Sequence, residues 1–184
     1  LVLASENYFS KITEIESENI EKLRFSEVKK TSYRDRKPLP SDYAYLIYTS
    51  GTTSLPKGVP ITHSNCAFTT GNIVKTLQYS RDDIDVLPLP LSHSFGLGCL
   101  HTSLYVGSTL IIHKTTEISQ ILDSIKNYNA STLAAVPSTL SKIVSNNSDD
   151  SANTLSRLRL IITNTTFFPP ETIQKLKKIL KKGK

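Results

Sequence analysis

Methionine and tryptophan are absent, position 1 included, and the 184 residues contain only two cysteines and four histidines. Because translation begins with methionine, a chain that lacks one at its head is expected to be a segment of a longer polypeptide. The two cysteines, Cys66 and Cys99, stand far apart without the close Cys or His spacings of zinc and redox sites. Both are therefore expected to be reduced structural thiols, and no metal ligand set is read from them. Long apolar runs are lacking too. Stretches such as Leu110-Ile111-Ile112 fall far short of the roughly 20 residues that span a bilayer, and the start shows no charged-then-apolar leader, so a cytoplasmic location is expected.

What is present is an ordinary globular composition, 38% hydrophobic and 21% charged, enough for a core of its own. The formal charge of +6 invites a polyanion partner, but much of it lies in two terminal blocks, Lys29 to Lys37 and Lys175 to Lys184. No aromatics interleave with the C-terminal lysines as a single-strand-binding surface requires, so these are expected to be solvated faces, with no nucleic-acid partner.

From Tyr43 onward, short β-branched or aromatic runs alternate with segments of helical period, the pattern of a parallel sheet with crossover helices. The pattern predicts strands at Tyr43–Tyr48, Ile84–Leu87, Thr109–His113, Thr132–Val136 and Leu158–Thr163. Helices are predicted at Ser64–Gln78, Phe95–Tyr105, Ile118–Asn127, Ser138–Ser145 and Pro170–Lys182. The predicted fold class is α/β, a doubly wound and mostly parallel sheet with flanking helices. In the last helix Ile173, Leu176, Ile179 and Leu180 make one apolar face among lysines, expected to pack on the sheet. Residues 1–40 read as the tail of a preceding unit plus a linker, with a helical stretch around Glu14 to Glu21. Residues 41–184 read as the α/β unit, and the polar run Ser145 to Asn153 as a surface loop.

After the first predicted strand comes Tyr48-Thr49-Ser50-Gly51-Thr52-Thr53-Ser54-Leu55-Pro56-Lys57-Gly58-Val59, dense in hydroxyls and glycine with one lysine near its end. Backbone N–H and side-chain O–H groups of such a loop can wrap phosphate oxygens while the lysine supplies charge. It is not a GxxxxGK[ST] loop, because Lys57 precedes Gly58 and no Ser or Thr follows.

The full string closely resembles the phosphate-binding signature of the adenylate-forming superfamily of acyl- and aryl-CoA ligases, luciferases and peptide-synthetase adenylation domains. The resemblance implies that Thr49, Ser50, Gly51, Thr52, Thr53 and Lys57 hold the phosphates of ATP. Ser54 stands where that family usually has glycine. A second match, Leu87-Pro88-Leu89-Pro90-Leu91-Ser92-His93-Ser94-Phe95-Gly96-Leu97, implies that His93 borders the carboxylate substrate, although a lone histidine at a helix start is ordinarily a cap or surface residue. This string tilts the choice toward CoA ligases, since peptide-synthetase domains usually differ here. His63 is read as capping or structural, and His101 and His113 receive no role.

A third segment, Leu158 to Glu171, resembles the strand, turn and helix that face the adenine, which would place Asn164, Thr165 and Thr166 on the adenine side. The family's Gly/Ala/Pro-rich turn is here Asn164-Thr165-Thr166-Phe167. The implied chemistry is activation of a carboxylic acid by ATP to an acyl-adenylate and pyrophosphate, then thioester formation with CoA, with Mg2+ balancing phosphate charge and fatty acid metabolism among its settings. The family's magnesium glutamate, ribose aspartate and mobile-domain lysine belong to regions beyond those matched. No catalytic or metal residue is therefore assigned, and the chain alone is not expected to complete the reaction. The alternatives are a truncated nucleotide- or partner-binding module and a fragment of a peptide-synthetase adenylation domain.

Overall fold

The structure, a computed structural model, describes residues 2–4, 22–24, 37–49, 56–145, 149–164 and 167–182. The chain divides into two compact units, Leu1–Lys37 and Pro38–Lys184. In the first, β1 (Val2–Ala4) and β2 (Lys22–Arg24) pair in parallel. The helical stretch expected around Glu14 to Glu21 lies outside the described residues.

The second unit opens with a hairpin. β3 (Tyr43–Thr49) pairs antiparallel with β4 (Lys57–Thr62), so the first predicted strand joins a two-stranded ribbon and not the parallel sheet. Pro60 explains why β4 escapes a reading of the sequence: proline breaks a strand pattern, yet at the edge of a ribbon its missing N–H costs nothing. One row of β3, Tyr43, Leu46 and Tyr48, is 51–74% exposed. We expect the 184-residue chain to self-associate through this apolar row, with a weight-average mass in light scattering that rises with concentration; a monomer mass at every concentration would contradict it.

The main sheet runs in the order β6-β5-β7-β8 with every pair parallel, in strands β5 (Ile84–Leu87), β6 (Thr109–Ile112), β7 (Thr132–Ala134) and β8 (Leu160–Ile162). The crossovers are α2 (Ser94–Val106), α3 (Ile118–Asn127), and the pair α4 (Pro137–Ser145) and α5 (Asp149–Leu155). The C-terminal part of the predicted polar loop thus forms α5, while residues 146–148 lie outside the described residues. α1 (His63–Leu77) precedes the sheet and α6 (Pro170–Lys182) follows it.

Strand alternation sorts the core into two layers. Val86, Ile111, Leu133 and Ile161 face a cluster built from α3, α4, α5 and α6, whereas Leu87, Leu110, Ala134 and Ile162 face Phe95 and Cys99 of α2. The sheet is covered on both faces, as a doubly wound sheet must be. On α6, Leu176 is buried and Ile179 and Leu180 pack on the first layer, which uses the apolar face read from the lysine-rich segment.

At the N-terminal ends of the strands a polar lock ties the layers together. Arg159 donates from Nε to Asp83 Oδ1 at 2.7 Å and from Nη2 to Asp83 Oδ2 at 2.6 Å, and its guanidinium also reaches the carbonyls of Leu77 and Gln78. Beside it the buried Asp85 accepts from Tyr79 at 2.9 Å, from Ser108 at 3.1 Å and from Thr132.

Candidate functional site

In a parallel sheet of this order, the chain leaves β5 toward β6 on one side and later returns to β7 on the other. The C-terminal ends of β5 and β7 therefore open a crevice at the switch point, where ligands bind in open α/β sheets. Three segments emerge there: Pro88 to Phe95 after β5, Ala135 and Val136 after β7, and Thr163 and Asn164 after β8. They enclose a cavity of about 220 Å³ lined by Leu89, Pro90, His93, Phe95, Gly96, Val136 and Asn164.

His93 is the N-cap of α2, with extended backbone (φ −101, ψ 143), and its Nδ1 accepts from the N–H of Phe95 at 3.3 Å. The capping role ordinary for a lone histidine is thus real, and it coexists with a place in the cavity wall. With Nδ1 used as an acceptor, the neutral ring carries its proton on Nε2, a donor suited to a carboxylate or phosphoryl oxygen. The first turn of α2 adds the positive end of a 13-residue helix at the same wall. Across the cavity, Asn164 Oδ1 is buried and has no hydrogen-bond partner, and neither has the neighbouring Thr163 Oγ1. An orphan acceptor costs roughly 1–3 kcal/mol, so this edge of the cavity is suited to a ligand with a donor group.

Gly96 is what lets α2 start so close to β5. A Cβ at position 96 would stand 2.4 Å from the carbonyl oxygen of Pro90, the same oxygen that accepts from His93 N at 3.2 Å. Its signal in the sequence is a glycine three residues beyond His93, within the same motif. Phe95 and Val136 carry no such signal, since an aromatic or a valine beside a strand reads as core.

The phosphate-loop residues form a second group. Thr49 and Lys57 are cross-strand partners that close the β3–β4 hairpin, with Lys57 exposed. Ser50, Gly51, Thr52 and Thr53, with Ser54, lie outside the described residues, as do Thr165 and Thr166. His63 opens α1, whose cap is Thr62 in a reciprocal box with Asn65. His101 meets Cys66, Nδ1 to Sγ at 3.2 Å, and His113 holds a buried Nε2 with no partner. Both cysteines are free, and burial pushes the Cys99 thiol up to about 12.

Comparison with known proteins settles the family. The model described as AMP-binding enzyme matches residues 4–183. The chain belongs to the AMP-binding enzyme family. Among curated members, it is 29% identical over 170 residues to 4-coumarate-CoA ligase 1 of Narcissus pseudonarcissus, covering 88% of this chain and 31% of that protein. To the oxalate–CoA ligase of Arabidopsis thaliana it is 32% identical over 140 residues, 74% of this chain and 27% of that one. Among solved structures, o-succinylbenzoate CoA synthetase from Bacillus subtilis with a bound product analogue superposes with a TM-score of 0.81 at 24% identity, over 96% of this chain and 36% of that one. A malonyl-CoA ligase with methylmalonyl-CoA and AMP bound gives a TM-score of 0.78 at 23% identity, over 97% and 39%. The chain thus shares the fold of adenylate-forming enzymes and spans under two fifths of these relatives' lengths.

Proposed function

We propose that this chain is the ATP-handling portion of an AMP-forming carboxylate–CoA ligase, which joins a carboxylic acid to ATP as an acyl-adenylate with loss of pyrophosphate and then passes the acyl group to the thiol of CoA. The observation that carries this reading is the convergence of His93 and Asn164, from distant parts of the chain, on one cavity at the switch point of the sheet. Membership of the AMP-binding enzymes, and relatives that are CoA ligases, support it.

The residues fit the groups such a reaction needs. The partnerless Asn164 Oδ1 suits an exocyclic amino group of a purine, and Thr165 and Thr166 would extend that adenine side. His93, through Nε2–H, and the N-terminal turn of α2 would hold the carboxylate against the α-phosphorus. The carboxylate oxygen then forms the new P–O bond as the bond to pyrophosphate breaks. Thr49, Ser50, Gly51, Thr52, Thr53 and Lys57 would hold the β- and γ-phosphates and the departing pyrophosphate. Among the described residues no group of three or more His, Cys, Asp and Glu is placed to hold a metal ion.

The test is carboxylate-dependent ATP–pyrophosphate exchange on the complete polypeptide. Lys57→Ala is expected to lower the exchange rate roughly 10- to 100-fold while the carboxylate Kd changes little, because the lysine meets charge that develops on the leaving group. Equal kinetics for mutant and parent would remove Lys57 from the site. Nucleotide binding without exchange for any carboxylate would favour a binding module.

A further inference from the structure

The densest run of one charge in the sequence falls on the last helix and just beyond it. Residues 175–184 carry six lysines, with no acidic residue, arginine or aromatic among them. Lys175, Lys177 and Lys178 are exposed on α6, and the acid in that helix is Glu171, one turn before Lys175. The apolar side of α6 is already used within the fold, because Leu176 is buried and Ile179 and Leu180 pack on the core. The lysines are thus held on a fixed face and not on a free amphipathic helix.

Beside these lysines is a cavity of about 300 Å³ among α4, α5 and α6. Ile143, Val144, Leu155 and Ile179 give it a hydrocarbon floor, and Lys175, Lys178 and Asp149 line it as well. The aspartate offsets one of the two lysines, so a positive charge remains beside the apolar hollow. Such a pairing fits an amphiphile with an anionic head and a hydrocarbon tail. The cavity shares no lining residue with the one that holds His93. Helices between parallel strands run back toward the strands' N-terminal ends, which places the last turn of α4 away from the switch-point crevice.

The kind of cation decides among anionic partners. Protein interfaces are enriched in arginine and aromatics and depleted in lysine, and single-stranded nucleic acid stacks on aromatics, none of which this run contains. Clustered lysines on a helix suit anionic lipid, because an ammonium is a compact point charge that needs no planar partner. We propose that the lysine face of α6 docks the protein on an anionic membrane surface, with a phospholipid phosphate at Lys175 and Lys178 and a hydrocarbon segment of that lipid in the cavity among α4, α5 and α6. The attachment is peripheral and does not depend on the carboxylate-activating reading of the other cavity.

The test sediments the complete polypeptide with sucrose-loaded vesicles of phosphatidylcholine alone and of phosphatidylcholine mixed with phosphatidylglycerol. Binding is expected to the mixed vesicles only. Each lysine near an anionic surface strengthens partition about fivefold, so Lys175→Gln with Lys178→Gln should weaken it about 25-fold while the melting temperature holds. Ala152→Leu is the second arm, because it puts a larger side chain in the cavity wall and leaves every lysine in place. Salt screens the lysines but not the hydrocarbon contact, so this variant should lose the binding that the parent keeps at about 0.5 M NaCl. Equal binding to both vesicles, or a double Gln variant that binds like the parent, would overturn docking through α6. Ala152→Leu binding like the parent at both salt concentrations would overturn the place of the lipid chain. Tighter binding of polyglutamate or of an RNA oligonucleotide than of the mixed vesicles would reassign the face to a soluble polyanion.

Discussion

Gly96→Ala is expected to abolish the site, lowering carboxylate-dependent exchange by the complete polypeptide more than about 100-fold, the size of loss that follows small misplacements of reacting groups. The added Cβ would be placed 2.4 Å from Pro90 O and 3.0 Å from Pro90 C, and both are backbone atoms that no side-chain rotation can clear. Either α2 shifts outward or the Leu89-Pro90 turn moves, and each displaces His93, whose own N–H is bonded to Pro90 O and whose ring caps α2. Overpacking of this kind costs about 1–3 kcal/mol of stability, so the urea midpoint should fall as well. Gly98→Ala is the internal control: its Cβ meets open space, and alanine is the better helix former by up to ~1 kcal/mol. If Gly96→Ala kept full exchange activity, the close approach of α2 to the β5 turn would not be what positions His93.

Arg159→Leu is expected to destabilise the fold by about 2–3 kcal/mol at neutral pH, because it strands the carboxylate of Asp83, 3% exposed, without its ion pair. The figure sits at or below the usual cost of breaking a buried pair because the guanidinium is itself 37% exposed and screened by water. The pH dependence gives the sign. Burial pushes the Asp83 carboxyl up, but hydrogen bonds from Arg159, Ser80 and Ser131 together with the guanidinium charge outweigh it and hold the group below the usual carboxylate range. A depressed value means a contribution that is complete above the unfolded aspartate pKa of about 4 and lost as pH falls through the folded value. In the Leu variant burial is opposed only by the hydrogen bonds from Ser80 and Ser131, and protonation relieves the stranded charge. The difference between parent and variant should therefore shrink from pH 7 to pH 3 in urea unfolding, and a difference independent of pH would show that Arg159 acts through packing over Tyr79 instead, 5.5 Å from the ring centroid.

Asp85 behaves oppositely. Burial comes first and raises its carboxyl, and the hydroxyls of Thr132, Tyr79 and Ser108 only partly offset this. Its contribution is complete at low pH and is lost as pH rises through the folded value, so the two neighbouring aspartates pull the stability profile in opposite directions.

The elements from Ile84 onward could be read from the residues, because alternating apolar strands and amphipathic helices have periods that survive without tertiary context. The pattern runs one residue past β6, two past β7, and two before and one past β8, and of these extra residues Val136 lines the crevice at the switch point. The hairpin was not legible as a pair. Tyr43 to Thr49 has the composition of a buried strand, and only its partner, carrying Pro60 and lying far from the parallel sheet's register, makes it a ribbon. The short α5 hid in a run of polar residues because its burial of Ser151, Thr154 and Leu155 depends on α3 and α6 being alongside.

What the sequence by itself determined was the α/β class and the family, since a phosphate-loop string and a strand-end histidine motif are local patterns written in consecutive residues. That His93 and Asn164 line one cavity and that Gly96 holds the distance between helix and turn were decided only by tertiary structure. Each depends on groups brought together by the order of strands in the sheet, and strand order is a matter of packing between distant segments that no local spacing encodes.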